Sequence, residues 1–565
     1  MFWFDFRWLP CHQYIVDIAL VHLGYTSRME CQAPCARQDG FPENRPVCRY
    51  VKGKAARMSY AGLTDVMGRV NDFLNAGSVL SWDARTMMPK AGADSRSRQL
   101  ATLAVAARNL LCSDEAKRAL DGAGAEIAGK PEDSPEARIV AQVREAIAYH
   151  ERIPTELLRR KTELGSAAHE IWAEAREKAD FSIFSGVLTT MVDINREMAQ
   201  AIGYDDHPYD ALMYRFEPGT TTAGLKALFA RLREGMLPLV RAIAEADQPR
   251  SDFLFRAYPE QAQMQFALHM ARRIGYDTDR GRLDTTVHPF EVSFTRDDVR
   301  ITTRVNKTYM PMSLFGALHE AGHAMYEQGV DPAYTRTPLA TDLISLYAVG
   351  GVSFGAHESQ SRLWENHVGR SRAFWANHMG DIRAAYPGTL DDVTEEEFYR
   401  AVNRSEPSFI RVEADELTYD FHIMLRTDLE SRLVDGSLDV ADLPEAWNAA
   451  MKEYLGVDVP DDGQGVLQDV HWSSGQIGTF CNYTIGNIMA AQLFDTATGE
   501  NPGIQTALDG ADYAPLRNWL TDKVARHGRR YSRDELLEKA TGRALDPEPY
   551  IAHLTRKFSD IYALV

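Results

Sequence analysis

The chain has 565 residues, of which 45% are hydrophobic and 25% are charged, and its formal net charge is −18 at pH 7. This length exceeds the roughly 250–300 residues at which one core stops growing, so we expect several domains or one large body divided into lobes. The net negative charge argues against nucleic acid as a partner, because the phosphates of nucleic acids bind basic surfaces. The same charge argues against binding to anionic membranes.

Residues 1–57 differ from the rest of the chain. They contain 8 Lys or Arg against 5 Asp or Glu, four of the six cysteines, and no helical period. We expect a poorly ordered N-terminal extension, or a start codon assigned too far upstream, followed by a catalytic domain over residues 58–565.

The cysteine distribution and the apolar runs predict the compartment. Only Cys112 and Cys481 fall in the body of the chain, which is typical of a reducing compartment. No apolar run approaches the roughly 18 residues of a membrane helix. Charges interrupt the apolar stretches near the N-terminus, so we expect no signal peptide and a cytoplasmic protein.

The first third of the body is predicted to be helical. Apolar residues recur at helical spacing from Leu63 to Leu74, and Pro218-Gly219 followed by three threonines marks another helix start. Further helices are predicted over 97–111, 135–150, 155–178, 181–202 and 259–274. We assign this region a scaffolding role and no chemistry.

Near residue 285 the period changes from helical to extended. The stretches 292–295 and 299–305 are rich in β-branched residues and flank Arg296-Asp297-Asp298, which predicts a small hairpin. One strand of such a hairpin can pair with an extended peptide substrate, or the hairpin can simply support the helix that follows. The sequence leaves both alternatives open.

That helix, over 313–329, carries the zincin signature His319-Glu-Ala-Gly-His323. Two imidazoles one turn apart on one helix face can hold Zn²⁺, which leaves room for a third protein ligand and a water. Glu320 then lies within reach of that water. A metzincin is excluded, because Tyr326 and Gly329 stand where that class has Gly and His.

The third ligand is expected to be a Glu from a later helix, and Glu358 in the stretch 354–366 is our choice. The connection 339–353 is long, and Gly350-Gly351 predicts that it bulges outward as a loop. Helices are then predicted over 354–379, 395–404, 411–433 and 441–455.

Six short motifs stand in a recognisable order in the second half of the chain. They are His288-Pro-Phe290, Asp298-Val-Arg-Ile-Thr302, His319-Glu-Ala-Gly-His323, His357-Glu-Ser-Gln360, Arg411-Val-Glu-Ala-Asp415 and Gly465-Val-Leu-Gln-Asp-Val-His-Trp472. Their order resembles the carboxypeptidase Taq family of zinc metallocarboxypeptidases, and the resemblance covers nearly everything after residue 58. The chain departs from the family pattern in the long 339–353 connection and at Thr479-Phe480-Cys481, where Tyr-Phe-Pro is more usual.

The resemblance implies an all-α, two-lobed body with a deep groove and a small hairpin, similar to neurolysin and angiotensin-converting enzyme. It implies a homodimer that removes single C-terminal residues from peptides with broad preference, using zinc with cobalt as an alternative. Glu320 is then the general base, Tyr483 and His471 hold the oxyanion, and Arg411 anchors the substrate's terminal carboxylate. Arg300 and Gln468 are further substrate-binding candidates.

Alternative interpretations remain for these residues and for the whole chain. Tyr483 and His471 can be packing residues, and Arg411 can form an internal salt bridge with Glu413, Asp415 or Glu416. On the same fold, an oligoendopeptidase or a dipeptidyl carboxypeptidase is the first alternative. A catalytically inactive scaffold that keeps a metal site is the second, and the intact Glu320 argues against it.

Overall fold

Nine α-helices precede the sheet in the described part of the chain, which comprises residues 58–564 of a computed structural model. The predictions for residues 1–57 lie outside this part. The predicted helices of the first third are confirmed with small differences in their bounds. Serine or threonine side chains cap several of these helices at the N-terminus. Ser134, for example, accepts a hydrogen bond from the Ala137 amide. The helices are α1 Tyr60–Thr86, α2 Ala93–Leu111, α3 Asp114–Glu126, α4 Pro135–Arg152, α5 Thr155–Lys178, α6 Ser182–Ile202, α7 Pro208–Met213, α8 Thr222–Ala244 and α9 Glu260–Ile274.

The sheet has three strands in the order β1-β3-β2: β1 Leu283–Thr285, β2 Glu291–Thr295 and β3 Asp298–Thr303. The predicted hairpin is confirmed as the antiparallel pair β2 and β3, with an irregularity in register between Ser293 and Thr295. Strand β1, parallel to β3, was not predicted, because three residues are too short to show a period. The Thr303 hydroxyl donates to the Ser313 carbonyl at 2.8 Å and joins the sheet to the next helix.

The helices after the sheet are α10 Pro311–Gly329, α11 Phe354–Arg362, which continues as a π-helical turn Leu363–Gly369, α12 Arg372–Ala385 and α13 Glu395–Val402. The prediction of one helix over 354–379 is wrong. The Ser371 side chain accepts a hydrogen bond from the Phe374 amide and starts α12 as a separate helix.

The predicted helix over 411–433 is also shorter than expected. Arg411–Glu413 is a single 3₁₀ turn, and α14 spans Tyr419–Asp435. The Asp415 carboxylate accepts bonds from the amides of Leu417 and Thr418, so it replaces the helical hydrogen bonds there. The chain then continues with α15 Leu443–Leu455, α16 Cys481–Glu500, α17 Pro502–Asp509, α18 Ala514–Lys523, α19 Arg533–Thr541 and α20 Glu548–Tyr562.

The connection 339–353 does not bulge outward as predicted. Leu339 and Leu343 are buried, and with Ala348 they belong to the apolar cluster that α1 to α4 form. The Glu327 carboxylate accepts bonds from the amides of Gly350 and Gly351 at 2.7 and 3.0 Å. Burial of the leucines outweighs the tendency of the glycines to form an exposed loop.

A second and larger apolar cluster extends from Tyr149 to Tyr562. The all-α architecture is therefore confirmed as a helical body with two main cores. Among the described helices, none is long and apolar enough to cross a membrane.

A fully buried carboxylate, Glu430 on α14, ties three distant segments together. Its oxygens accept bonds from the Tyr209 hydroxyl at 2.6 Å, the Trp472 indole at 2.8 Å and the Gly478 amide at 2.9 Å. Burial raises the pKa of Glu430 from 4.5 to about 7.

This raised pKa predicts a pH dependence of stability. The unfolded chain loses the Glu430 proton near pH 4.5 and the folded chain near 7, so the favourable contribution present below pH 4.5 is lost as the pH rises through 7. The loss corresponds to about 3 kcal/mol in the free energy of unfolding. Urea unfolding at pH 5 and pH 8 should show this decrease for the native protein, and the decrease should be smaller in Glu430→Gln. Parallel profiles would contradict the prediction.

Candidate metal centre

Helices α10 and α11 bring His319, His323 and Glu358 together. One ligand atom from each residue lies within 4.8 Å of the other two. Glu358 Oε2 is 3.6 Å from His319 Nε2 and 3.3 Å from His323 Nε2. The structure therefore assembles the three residues that the sequence predicted as metal ligands into one cluster.

The other nitrogen of each imidazole is held by a hydrogen bond. His319 Nδ1 donates to Glu365 Oε2 at 3.0 Å, and His323 Nδ1 donates to the carbonyl of His357 at 3.1 Å. With the proton on Nδ1, the Nε2 lone pair of each ring is left for a metal. Two imidazole nitrogens and one carboxylate oxygen are a donor set that fits zinc.

The charge states of two ligands suit metal binding. Burial opposes ionisation of Glu358, but Arg362, whose Nε donates to Oε1 at 2.7 Å, and the two imidazoles hold its pKa well below the ordinary value. Burial lowers the pKa of His323 to about 3, so this ring is neutral. Burial also disfavours the charged form of His319, but Glu358 and Glu365 raise its pKa.

Close packing of the helices sets this geometry. A Cβ atom on Gly322 of α10 would lie 2.6 Å from the carbonyl oxygen of Gln360 on α11, and one on Gly486 of α16 would lie 2.6 Å from Glu358 Cγ. Larger residues at either glycine would therefore push the ligand helices apart.

Glu320 is only 6% exposed and lies beside His319 on α10. Burial raises its pKa to about 7, and the negative charges of Glu358 and Glu365 act in the same direction. A carboxylate with a pKa near neutrality can both accept and return a proton at working pH.

The residues that hold the ligands in place were not predicted from the sequence. Glu365 accepts from His319 and also pairs with Arg370 at 3.0 Å. His357 donates from Nε2 to Glu327 at 3.1 Å, and its ring stacks on His323 with centroids 4.4 Å apart. The seven-residue spacing of Glu358 and Glu365, two helical turns, was the only sequence signal for Glu365.

The two predicted oxyanion residues lie on segments that meet around Arg411. The Tyr483 ring centroid is 6.1 Å from that of Tyr419 and 5.4 Å from the Arg411 guanidinium. His471 packs against Phe480, and burial lowers its pKa to about 4, so it is neutral.

Arg411 forms an internal ion pair, but its partner is not Glu413, Asp415 or Glu416. It donates to Asp469 Oδ1 at 2.7 Å, and its Nη1 donates to the Tyr419 hydroxyl at 3.0 Å. Arg426 donates to the other oxygen of Asp469 at 2.6 Å.

This arrangement connects Arg411 with the metal-ligand cluster. The Arg362 guanidinium lies 4.6 Å from the centroid of the Tyr419 ring, and Arg362 also binds Glu358. The two arginines therefore contact the same tyrosine.

The remaining two substrate-binding candidates have different contacts. The Gln468 side chain accepts from the Arg411 amide at 2.9 Å and donates to the Phe409 carbonyl at 3.0 Å, so it fixes the backbone of the Arg411 turn. Arg300 binds Asp298 through two hydrogen bonds of 2.8 Å and lies over the rings of Trp82 and Phe294. Among the described residues, Arg300 has no hydrogen bond or ion pair with the cluster.

Known proteins resemble this chain over most of its length. The family model described as carboxypeptidase Taq (M32) metallopeptidase matches residues 62–558. Carboxypeptidase 1 of Bacillus subtilis is 37% identical over 501 residues, which cover 88% of this chain and 98% of the relative. Thermostable carboxypeptidase 1 of Thermus thermophilus is 37% identical over 518 residues, with 89% and 99% covered. The crystal structure of the M32 carboxypeptidase from Deinococcus radiodurans R1 is 40% identical with a TM-score of 0.85, and covers 89% of this chain and 99% of that one.

Proposed function

The chain belongs to the carboxypeptidase Taq (M32) metallopeptidase family and is a metallocarboxypeptidase, and on this basis we propose that it is a zinc enzyme removing single C-terminal residues from peptides with broad side-chain preference. One observation carries the proposal: His319, His323 and Glu358 form a metal-ligand cluster with the buried Glu320 beside it. Zinc is the metal that the donor set favours, and Co²⁺ is the alternative.

Glu320 is the general base of the proposed mechanism. A zinc ion held by His319, His323 and Glu358 would supply Lewis acidity and would make the attacking water more acidic. Glu320 takes the proton of the attacking water and later returns it to the nitrogen of the leaving amino acid. Its burial supports this role, because a carboxylate in a water-poor site keeps a pKa near neutrality.

Tyr483 and His471 are the proposed donors to the oxyanion that develops on the scissile carbonyl. Burial raises the pKa of the Tyr483 hydroxyl well above its ordinary value, so this group keeps the proton that it must donate. The neutral His471 retains one N–H for the same purpose.

Arg411 is the proposed anchor for the terminal carboxylate of the substrate, with Gln468 and Arg300 as secondary candidates. Arg426 supports this role, because it shares Asp469 with Arg411. Two arginines around one aspartate leave an excess positive charge, which a substrate carboxylate would balance.

Replacing Arg411 with Ala is expected to cost roughly 2–5 kcal/mol of transition-state binding for peptides with a free C-terminus. Activity on C-terminally amidated peptides, already poor, should change little, so the ratio of kcat/KM for acid over amide should fall. Arg533→Ala is the matched control, since Arg533 is also buried in an ion pair, with Glu217 at 3.0 Å. An unchanged ratio in Arg411→Ala would assign Arg411 to internal pairing alone.

Mass-resolved digestion of one peptide, in acid and amide forms, tests the function as a whole. We expect a ladder of products shortened by single residues from the C-terminus of the acid form. Efficient cleavage of the amidated peptide at internal bonds would favour the oligoendopeptidase. Loss of residues in pairs would favour the dipeptidyl carboxypeptidase.

The proposal includes a homodimer and a cytoplasmic location. The family resemblance supports the dimer, and the low cysteine content of the body supports the reducing compartment. Light scattering of the purified chain at several concentrations measures the oligomeric state. Fractionation of the source cells measures the cellular location.

A further inference from the structure

Arg85, near the end of α1, is an exposed cation without a partner. Within residues 58–564 its guanidinium forms no hydrogen bond or ion pair, and it lies 3.5 Å from the centroid of the Phe290 ring. A guanidinium stacked on a ring keeps the N–H groups at its edges free, and these can bind a carboxylate. The helical region for which the sequence predicts only a scaffold therefore presents a free anion-binding group.

Apolar packing fixes the end of α1 against the sheet. Trp82 of α1 forms an apolar cluster with Val292 and Phe294 of β2, and Phe290 packs against this cluster. The backbone that carries Arg85 is therefore held in place relative to the segment that carries Phe290.

The residue after Phe290 connects this segment with the metal centre. Glu291 Oε2 lies 3.9 Å from His357 Nε2, and the His357 ring stacks on the metal ligand His323 with centroids 4.4 Å apart. A short series of contacts thus leads from Arg85 to a metal ligand.

The electrostatics of Arg85 include the proposed general base. Partial burial lowers the pKa of Arg85, and the charges of Tyr347, Glu320 and Glu291 oppose this shift. The guanidinium and the Glu320 carboxylate therefore lie within electrostatic range of each other, although no ion pair joins them.

The other end of the same segment faces the proposed carboxylate anchor. His288 stands two residues before Phe290. Burial lowers the pKa of His288, and nearby arginines lower it further; Arg411 is one of them and Arg85 is not. The segment 288–290 therefore runs from the Arg411 side of the metal centre to the Arg85 side.

We propose that Arg85 binds an acidic side chain on the penultimate residue of the substrate, which is the residue before the scissile bond. With the terminal carboxylate at Arg411 and the scissile bond at Glu320, that residue lies on the Arg85 side. The inference rests on the proposed function, which places the terminal carboxylate at Arg411. It adds a preference at the penultimate position to the broad preference at the C-terminal residue.

Kinetics on three peptides that differ only in the penultimate residue, with Glu, Gln or Lys there, test the proposal. For the metal-loaded full chain we expect kcat/KM to be about fivefold higher for the Glu peptide than for the Gln peptide. Arg85→Ala should bring this ratio to about one, and Arg85→Glu should favour the Lys peptide. Arg241→Ala is the matched control and should keep the native ratio, since Arg241 is exposed and without an ion pair in the described chain but lies on α8.

Equal kcat/KM of the native enzyme for the Glu and Gln peptides would overturn the proposal. A native ratio retained in Arg85→Ala would also overturn it, even if all three rates fell, because Arg85 would then act on Glu320 and not on the substrate. Mass analysis of the products separates this inference from the proposed function. Cleavage at a bond other than the last would refute the function, and the ratio for the residue before the cleaved bond would still decide the role of Arg85.

Discussion

Replacing Glu320 with Gln is expected to lower the rate of peptide hydrolysis at least about a hundredfold, since general-base catalysis contributes roughly 10²–10⁴. The amide has nearly the same size and cannot accept the proton of the attacking water. Glu320 is not one of the three clustered ligands, so the variant should keep its full metal content. Metal content and kcat, measured on the same preparation, separate a loss of catalysis from a loss of metal.

Glu327→Gln is the matched control for this experiment. Glu327 is buried on the same helix, at 4% exposure, and its carboxylate binds the amides of Gly350 and Gly351. Because Glu327 also accepts from His357, whose ring stacks on His323, we expect weaker metal binding but most of the activity at saturating metal. If Glu320→Gln remained close to the native rate, another group would have to move the proton and the proposed mechanism would be wrong.

Glu358→Ala is expected to lose most of the bound metal, because the cluster would keep only the two imidazoles. The substitution also leaves the partly buried Arg362 without the carboxylate that it contacts at 2.7 Å, so some loss of stability is expected with it. Glu358→Gln preserves an oxygen for Arg362 but removes the charge, and it should weaken metal binding with less effect on folding. Metal content after dialysis against a metal buffer, with circular dichroism as the folding check, distinguishes these cases.

Glu365→Gln gives the contrast, because Glu365 orients His319 without belonging to the ligand cluster. Loss of such an outer partner typically costs about 10–100-fold in metal affinity. This variant should therefore bind one metal at saturation, with reduced affinity. Full retention of metal by Glu358→Ala would show that a different carboxylate is the third ligand.

Local features of the chain were predictable because the forces behind them act over a few residues. The spacing of His319 and His323 follows from one helical turn, and the β-branched stretches that flank Arg296-Asp297-Asp298 predict the hairpin. The order of the six motifs identified the family, which the comparisons confirm.

Predictions failed where a side chain overrides the local pattern. Asp415 caps the backbone at 417 and 418, so the helix predicted from 411 begins at Tyr419. Leu339 and Leu343 draw the connection 339–353 into the core of α1 to α4. At the first site, specific hydrogen bonds override the helical periodicity. At the second, burial of apolar side chains overrides the tendency of glycines to form an exposed loop.

By itself the sequence determined the helical class, the pair of histidines with their adjacent Glu320, and the family. Only the tertiary structure decided the partners of these residues, because contacts between distant parts of a chain depend on how helices pack. Glu365 is 46 residues from His319, and Asp469 is 58 residues from Arg411. No periodicity spans such separations, so the orientation of the metal ligands and the ion pair of Arg411 become visible only when the helices are in place.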